Sequence, residues 1–176
     1  MDAAKCPPSP RPAGLLLRAA GAADAGLILE LIRELAAFER LAHEVVADEG
    51  ALRRHLFGER PAAEVLIAEV DGAPAGFALF FTSFSTFLGR PGIYLEDLFI
   101  RPAFRGRGIG RAMLARLAQT ALQRGCGRFE WSVLDWNERA IGFYRRLGAR
   151  PMSDWTVFRL DGEALAALAS EPPAGP

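Results

Sequence analysis

The chain has 176 residues, of which 51% are hydrophobic and 24% are charged, and its 21 basic and 21 acidic side chains leave no net charge. This is the composition of an ordinary globular domain, without the basic excess typical of nucleic-acid binding or the ~20-residue apolar run of a membrane span, so we expect no nucleic acid and no membrane as partner. Cys6 and Cys126 stand far apart and near no histidine, which argues against a disulfide framework and a metal site and favours the cytoplasm.

The ends of the chain differ in composition from its middle. Prolines recur in the opening segment MDAAKCPPSPRPAG and in the closing segment SEPPAGP, where few apolar residues are available to pack. We therefore predict a disordered tail over residues 1–13, a single domain over 14–170 and a frayed C-terminus over 171–176.

The first half of the domain is predicted to contain a strand, two helices and a hairpin. Residues 15–18 form the strand, and Asp24 caps a helix in which apolar residues recur at helical spacing: Ile28, Leu31, Leu35 and Phe38. A shorter helix covers residues 48–57. The segments AEVLIAEV and PAGFALFFTSF then flank the turn signal Asp71-Gly72, which predicts a β-hairpin.

The second half alternates strands and helices. We predict a strand at GIYLEDLFI, a helix over residues 109–124 ended by Gly125, a strand at RFEWSVLDW, and a helix that begins after Asn137 and ends at Gly148. A last strand at WTVFRL and a short helix at GEALAALA follow. A hairpin followed by alternating elements predicts an α/β (α+β) fold, with a mixed sheet covered by helices on both faces.

The segment RPAFRGRGIGR lies between a predicted strand and a predicted helix. Its glycines, Gly106, Gly108 and Gly110, permit positive φ and expose backbone amides, and the positive end of the helix dipole adds to them. Arginines surround the same point: Arg105, Arg107 and Arg111. The segment therefore predicts a turn that binds phosphate oxygens, such as a pyrophosphate.

Three other interpretations of this turn compete with phosphate binding by the proposed glycine turn. A Walker loop needs Gly-Lys-Ser/Thr, which is absent, and a dinucleotide fingerprint needs G-x-G-x-x-G directly after a strand. Here the spacing is G-x-G-x-G, and five residues, RPAFR, intervene. The third interpretation is a tight surface turn with solvated arginines.

The turn and its surroundings resemble a known family. RGRGIG after LEDLFIRPAF is similar to the R/Q-x-x-G-x-G/A motif of the GNAT N-acetyltransferases. IYLEDLFIRPAFRGRGIG, VLDWNERAIGFYRRLGA and Trp155 resemble the spermidine/spermine N-acetyltransferase family, including its thialysine branch. The resemblance implies a mostly antiparallel sheet of about six or seven strands with a central parallel pair that splays apart.

The resemblance also implies acetyl-CoA as co-substrate, bound in the gap between the splayed strands. The backbones of Leu98, Phe99 and Ile100 would pair with the pantetheine like an added strand, and the turn would hold the pyrophosphate. The implied cofactor-binding residues of the turn are Arg105, Gly106, Arg107, Gly108, Ile109, Gly110 and Arg111. Those of the following helix are Asn137, Glu138, Arg139 and Ala140, with Asn137 also predicted as the helix cap.

Two acids interrupt the apolar strand IYLEDLFI. Alternation predicts that Glu96 and Asp97 point to opposite faces, so that at least one of them is partly buried. Each acid also fits a structural pair with an arginine. The resemblance implies that Glu96 removes a proton from the incoming amine, and that Asp97 helps to bind that amine.

Tyr144 lies on the apolar face of its predicted helix. By that position alone it is a packed core aromatic. The resemblance instead implies that its hydroxyl faces the acetyl-CoA sulfur and gives a proton, or at least a hydrogen bond, to the departing thiolate. The predicted reaction is direct transfer to a primary amine of a small molecule, without a covalent enzyme intermediate.

The resemblance places further residues beside the acceptor amine: Phe38, Glu39, Glu130, Trp131 and Ser132. Glu130 fits a solvated strand position equally well. Ser85, Thr86 and Phe87 stand where polyamine enzymes of the family carry an acid, a proline and a tryptophan, so a small diamine or a lysine-like amino acid fits at least as well as a polyamine. Family members pair as homodimers, which we also expect here.

Two other functions fit the same sequence. Acetylation of a protein lysine or N-terminus would use the same core. A non-catalytic acyl-CoA-binding sensor would keep the fold and lose the acetyl transfer.

Overall fold

The structure is a computed structural model that describes residues 12–172. Its strands are β1 (Leu15–Ala19), β2 (Glu64–Val70), β3 (Ala73–Ser85), β4 (Arg90–Ile100) and β5 (Arg128–Trp131). Its α-helices are α1 (Ala25–Glu39), α2 (Glu49–Phe57), α3 (Ile109–Gln123), α4 (Glu138–Arg146) and α5 (Gly162–Ala169). The predicted tails at residues 1–13 and 171–176 lie outside the described residues, except for residues 12, 13, 171 and 172.

The five strands form one sheet in the order β1-β2-β3-β4-β5. The first four pair antiparallel with their neighbours, and β5 pairs parallel with β4. Asp71 and Gly72 both adopt positive φ, 50° and 79°, as the tight turn between β2 and β3 requires. The predicted hairpin and the mixed, mostly antiparallel sheet with one parallel pair are therefore confirmed.

Helices cover both faces of this sheet. On one face, buried residues of α1 and α2 pack against alternate residues of the strands, including Val65, Ile67, Phe77 and Phe99. On the other face, α3 buries Met113 and Leu117 and lies over β4, β2 and β5. The alternation of the strands gives each helix layer its own set of apolar side chains.

The chain divides into two compact units between Ser132 and Val133. The first holds the sheet with α1, α2 and α3, and the second holds α4 and α5. The predicted cap of α4 is confirmed, because the side chain of Asn137 accepts a hydrogen bond from Ala140 N–H. None of the helices described over residues 12–172 is long and apolar enough to cross a membrane.

Three details of the sequence prediction are wrong. The sheet has five strands instead of about six or seven, because WTVFRL forms no strand and its Val157 and Phe158 are 84% and 89% exposed. Strand β5 ends at Trp131, where its pairing with β4 ends. Asp24 precedes α1 but does not cap it, since its carboxylate accepts hydrogen bonds from Arg18 and from Gly21 N–H.

Gly76 gives a test of the close approach of β3 and β4. A methyl group at this position would overlap the carbonyl oxygen of Phe99, a backbone atom that has no room to retreat. We expect Gly76→Ala to lower the free energy of unfolding by about 1–3 kcal/mol, measured by urea denaturation. The control is Gly21→Ala, because nothing lies within 4 Å of the added methyl group there. Equal effects of the two substitutions would contradict this packing.

Candidate active site

The glycine-rich turn ends at the N-terminus of α3. Gly106 and Gly108 both have a φ of 79°, and space around Gly106 is open, with nothing within 4 Å of a built Cβ. The first hydrogen bond of α3 runs from Ala112 N–H to Gly108 C=O, so the N–H groups of Ile109 and Gly110 make no intrahelical bond. Open backbone amides at a helix N-terminus fit a phosphate group.

Arg105 and Arg107 place their guanidinium groups differently. Arg105 Nε donates to Ile100 C=O at 2.8 Å, and its guanidinium carbon lies 4.7 Å from the ring centre of Phe38. Arg107 is exposed, with its guanidinium carbon 5.7 Å from the ring centre of Phe104. Arg107 therefore offers its charge to solvent beside the turn, whereas Arg105 connects the turn to α1.

The C-terminal half of β4 has an open edge. Pairing with β5 ends at Leu95↔Trp131, while pairing with β3 continues to Gly76↔Ile100. Arg101 N–H donates to Ala75 C=O on the β3 side, so by alternation the backbone groups of Phe99 also face β3 and those of Leu98 and Ile100 face the open edge. The structure thus places the backbone groups of two of the three predicted residues, Leu98 and Ile100, at this edge.

A β-bulge in β4 controls where its acids point. Leu95 pairs with Phe80 and Asp97 pairs with Leu79, so Glu96 is the extra residue. Phe80 lines a cavity with Leu117 of α3, whereas Leu79 packs against the core of α1 and α2. Regular alternation therefore breaks at Glu96, while the expectation that at least one of the two acids is partly buried is confirmed by Asp97.

Asp97 is the half-buried member of a group of three carboxylates. Burial, followed by the charges of Glu96 and Glu39, raises its pKa to about 6. Burial also raises the pKa of Glu39, the last residue of α1. Glu96 is exposed. Three acids without a bound cation repel one another, so the group attracts a positively charged partner.

The predicted residues of β5 lie at the end of the parallel pair. Glu130 makes a 2.6 Å ion pair with Arg128, which fits a solvated strand position. The ring of Trp131 packs 5.0 Å from that of Phe129. Ser132 Oγ is 2.7 Å from the hydroxyl of Tyr94, a residue of β4 that sequence reasoning did not select.

The remaining predicted residues belong to the second unit. Tyr144 is half-buried in α4, with its ring 5.4 Å from that of Phe143. Glu138 and Arg139 are exposed in the first turn of α4, and Ala140 closes the cap with Asn137. Within residues 12–172, no group of three or more His, Cys, Asp or Glu side chains is arranged to hold a metal ion.

Sequence reasoning also missed Arg101, which holds β4 against α1. Its guanidinium contacts Glu34 and Glu30, and it donates to Pro74 C=O at 3.1 Å. Glu30 and Glu34 are one helical turn apart, a spacing that places two acids on one face of α1. The spacing of Glu30 and Glu34 predicts that the two acids share one face of α1, but it does not identify the arginine that binds them.

The open edge, the glycine-rich turn and the three carboxylates all lie at the C-terminal half of β4. This arrangement fits a transferase that holds a phosphate-bearing donor beside an acidic acceptor site. The model of the acetyltransferase (GNAT) family matches residues 29–149. The chain belongs to this family and is an acetyltransferase.

Similar proteins agree with this assignment. The chain is 42% identical over 170 residues to a thialysine N-epsilon-acetyltransferase of Sus scrofa, covering 90% of this chain and 99% of the relative. It is 34% identical to an L-ornithine N5-acetyltransferase of Arabidopsis thaliana, covering 86% of each chain. A solved integron cassette protein from the V. cholerae mobile metagenome shares the fold, with a TM-score of 0.76, 24% identity, and coverage of 90% and 99% of the two chains.

Asp97 gives a test of the carboxylate group through stability. Its pKa of about 6 lies above the ~3.9 of an unfolded chain, so the destabilisation by its ionised form begins near pH 4 and is complete above about pH 6. We expect Asp97→Asn to raise the free energy of unfolding by about 1–3 kcal/mol at pH 8, by roughly half as much at pH 5, and not at all below pH 4. Urea denaturation at pH 8 and pH 5 measures the difference.

The matched control is Glu96→Gln, which removes an exposed charge from the adjacent position. Its effect on stability should stay within about 0.5 kcal/mol at both pH values. A gain in Asp97→Asn that is the same at pH 8 and pH 5 would contradict a raised pKa as its cause.

Proposed function

We propose that this enzyme transfers the acetyl group of acetyl-CoA directly to a primary amine of a small molecule. The amine is a diamine, a polyamine, or a thialysine-like or lysine-like amino acid. The observation that carries the proposal is the group of Glu39, Glu96 and Asp97 beside the open edge of β4. An ammonium group would relieve the repulsion within that group on binding.

Acetyl-CoA would supply an activated thioester, and this chain offers matching contacts for it. The open turn at Gly106 and Gly108 and the N–H groups of Ile109 and Gly110 fit the pyrophosphate, with Arg107 and Arg111 adding charge. Leu98 offers its backbone groups and Ile100 its N–H at the open edge for the pantetheine, whereas Ile100 C=O accepts from Arg105. Residues 137–140 remain proposed contacts in the second unit.

The acids would also prepare the amine for attack. A lysine-like amine has a pKa near 10.4, so reaching its neutral form at pH 7 costs about 4.6 kcal/mol. We assign proton acceptance to Glu96, directly or through one water, and retention of the ammonium to Asp97 with Glu39. Since the pKa of Asp97 is about 6, that carboxylate is ionised and able to hold the cation at pH 7 and above.

Tyr144 would serve the leaving group. A phenol with a pKa near 10 hydrogen-bonds a thiolate with a pKa near 8.5, and passes on its proton as the tetrahedral intermediate collapses. No cysteine of the chain is needed for this chemistry. The half-buried hydroxyl-bearing ring in α4 is consistent with such a role.

The relatives support a compact acceptor. Two of them are named for thialysine and for L-ornithine, each of which is a small amino acid with a side-chain amine. In this chain Ser85 is buried and its Oγ accepts from Leu88 N–H, so position 85 supplies no carboxylate for a long polycation. We therefore favour a lysine-like amino acid or a short diamine over spermine.

We also propose that the enzyme acts as a homodimer in the cytoplasm and that residues 14–170 fold as one domain. The dimer is expected from the family, and the cytoplasm from the two cysteines, which show no disulfide pattern in the sequence.

Tyr144→Phe tests the proton donor. We expect kcat to fall about 100-fold, because only the hydroxyl that meets the departing thiolate is lost, while the Kd for acetyl-CoA stays within about threefold. Thiol release measures kcat, and calorimetry measures binding. Tyr94→Phe, which removes the only other tyrosine hydroxyl of the chain, is the control and should change kcat less than about threefold. Unchanged turnover in Tyr144→Phe would remove the assignment.

A panel of acceptors tests the substrate class. With radioactive acetyl-CoA, we expect labelling of thialysine, ornithine or short diamines at a kcat/KM at least about tenfold above that for spermine or for lysine-containing peptides. Labelling of peptides alone would instead establish a protein acetyltransferase. Binding of CoA without transfer to any amine would establish a sensor, and stabilisation by NAD but not by CoA would revive the dinucleotide interpretation.

A further inference from the structure

Arg105 connects the glycine-rich turn, which is proposed to bind acetyl-CoA, with the end of α1, which lies beside the proposed amine site. It is the first residue of the glycine-rich motif, yet its guanidinium reaches back across β4 to α1. Its Nε donates to Ile100 C=O at 2.8 Å, and its guanidinium carbon lies 4.7 Å from the ring centre of Phe38 and 5.6 Å from that of Phe99. The hydrogen bond fixes the plane of the guanidinium, and the rings fix the side on which it lies.

This contact belongs to a larger attachment of the turn to α1. Arg101 and Arg105 flank the short 3-10 turn Pro102–Phe104 that leads into the glycines. Arg101 binds Glu30 and Glu34, and Arg105 lies over Phe38. The three partners on α1 are spaced by four residues, so they form one stripe along the helix. Residues 101–105, which lead into the glycine-rich turn, are therefore attached to one face of α1 at both ends.

The C-terminal end of that stripe adjoins the acceptor carboxylates. Phe38 precedes Glu39, the last residue of α1, and the charge of Glu39 acts on Asp97. Phe38 is 40% exposed, and the guanidinium of Arg105 lies over its ring. A displacement of Arg105 would consequently change the position of Phe38 and of the adjacent Glu39. The same guanidinium limits the freedom of the glycine-rich turn that follows it.

We propose that Arg105 is a positioning residue that couples the acetyl-CoA turn to the amine site through Phe38. This inference rests on the proposed function and adds to it a physical link between the two substrates. A guanidinium suits the link because it stacks on an aromatic face while its Nε–H donates in the ring plane, and lysine lacks that planar group. Coupling of this kind means that each substrate binds more tightly when the other is present.

The test is a double-mutant cycle with Arg105→Gln and Phe38→Leu, in which the KM values for the amine and for acetyl-CoA are measured separately. We expect each single substitution to raise the KM for the amine about tenfold, and the double substitution to raise it no further. Arg105→Lys, which keeps the charge and serves if Arg105→Gln folds poorly, should behave like Arg105→Gln. Folding is checked by the cooperativity of thermal unfolding.

Arg107→Gln is the matched control in the same turn. Because Arg107 lies over Phe104 and away from α1, its loss should raise the KM for acetyl-CoA but leave the KM for the amine within about twofold. If Arg105→Gln also changed only the KM for acetyl-CoA, or if the effects of Arg105→Gln and Phe38→Leu multiplied, Arg105 would be a simple phosphate ligand and the inference would fall.

Calorimetric titration of the amine with and without CoA gives a second measurement that needs no turnover. We expect CoA to tighten amine binding at least about fivefold in the natural protein, and less than about twofold in Arg105→Gln. Equal tightening in both proteins would overturn the inference while leaving the proposed function intact. Absence of acetyl transfer in the natural protein would instead remove the proposed function, and the titration would still report on the link.

Discussion

The interrupted pairing of β4 is the constraint on which the rest of the site depends. One edge of β4 is paired with β3 to Ile100, whereas the other edge loses β5 after Leu95. An open strand edge exposes unpaired backbone groups and invites association with other chains. The pantetheine of the proposed co-substrate is an extended group that would pair with such an edge. The glycine-rich turn and the carboxylates lie at the half of β4 where this unpaired edge begins.

The carboxylate group illustrates how a binding site reduces the stability of a fold. Asp97 is half-buried and lies within reach of the charges of Glu96 and Glu39, so its ionised form is unfavourable. If Asp97 had a purely structural role, we would expect an arginine beside it, as Arg101 lies beside Glu30 and Glu34. Protonation of Asp97 or a bound cation relieves the repulsion, so in the proposed function its relief contributes to amine binding.

Sequence patterns predicted the regular parts of this molecule and failed where partners from distant segments decide. The stripe of α1, the Asp71-Gly72 hairpin and the cap of α4 follow from local spacing and turn chemistry, and all three are confirmed. The bulge at Glu96 could not be predicted, because no residue in IYLEDLFI marks an extra position in the strand. WTVFRL has the composition of a strand but finds no neighbouring strand within residues 12–172.

The position of Arg105 shows why a motif does not give the role of each of its residues. Phosphate binding at a helix N-terminus uses backbone amides and the helix dipole, which glycines supply without any side chain. The first arginine of the motif donates to Ile100 C=O, and its planar guanidinium lies over a ring 67 residues earlier in the chain. Only the fold reveals this partner, since Phe38 reads in the sequence as one more member of an apolar helix stripe. In the proposed link, a residue that defines a family motif would serve the neighbouring substrate through packing.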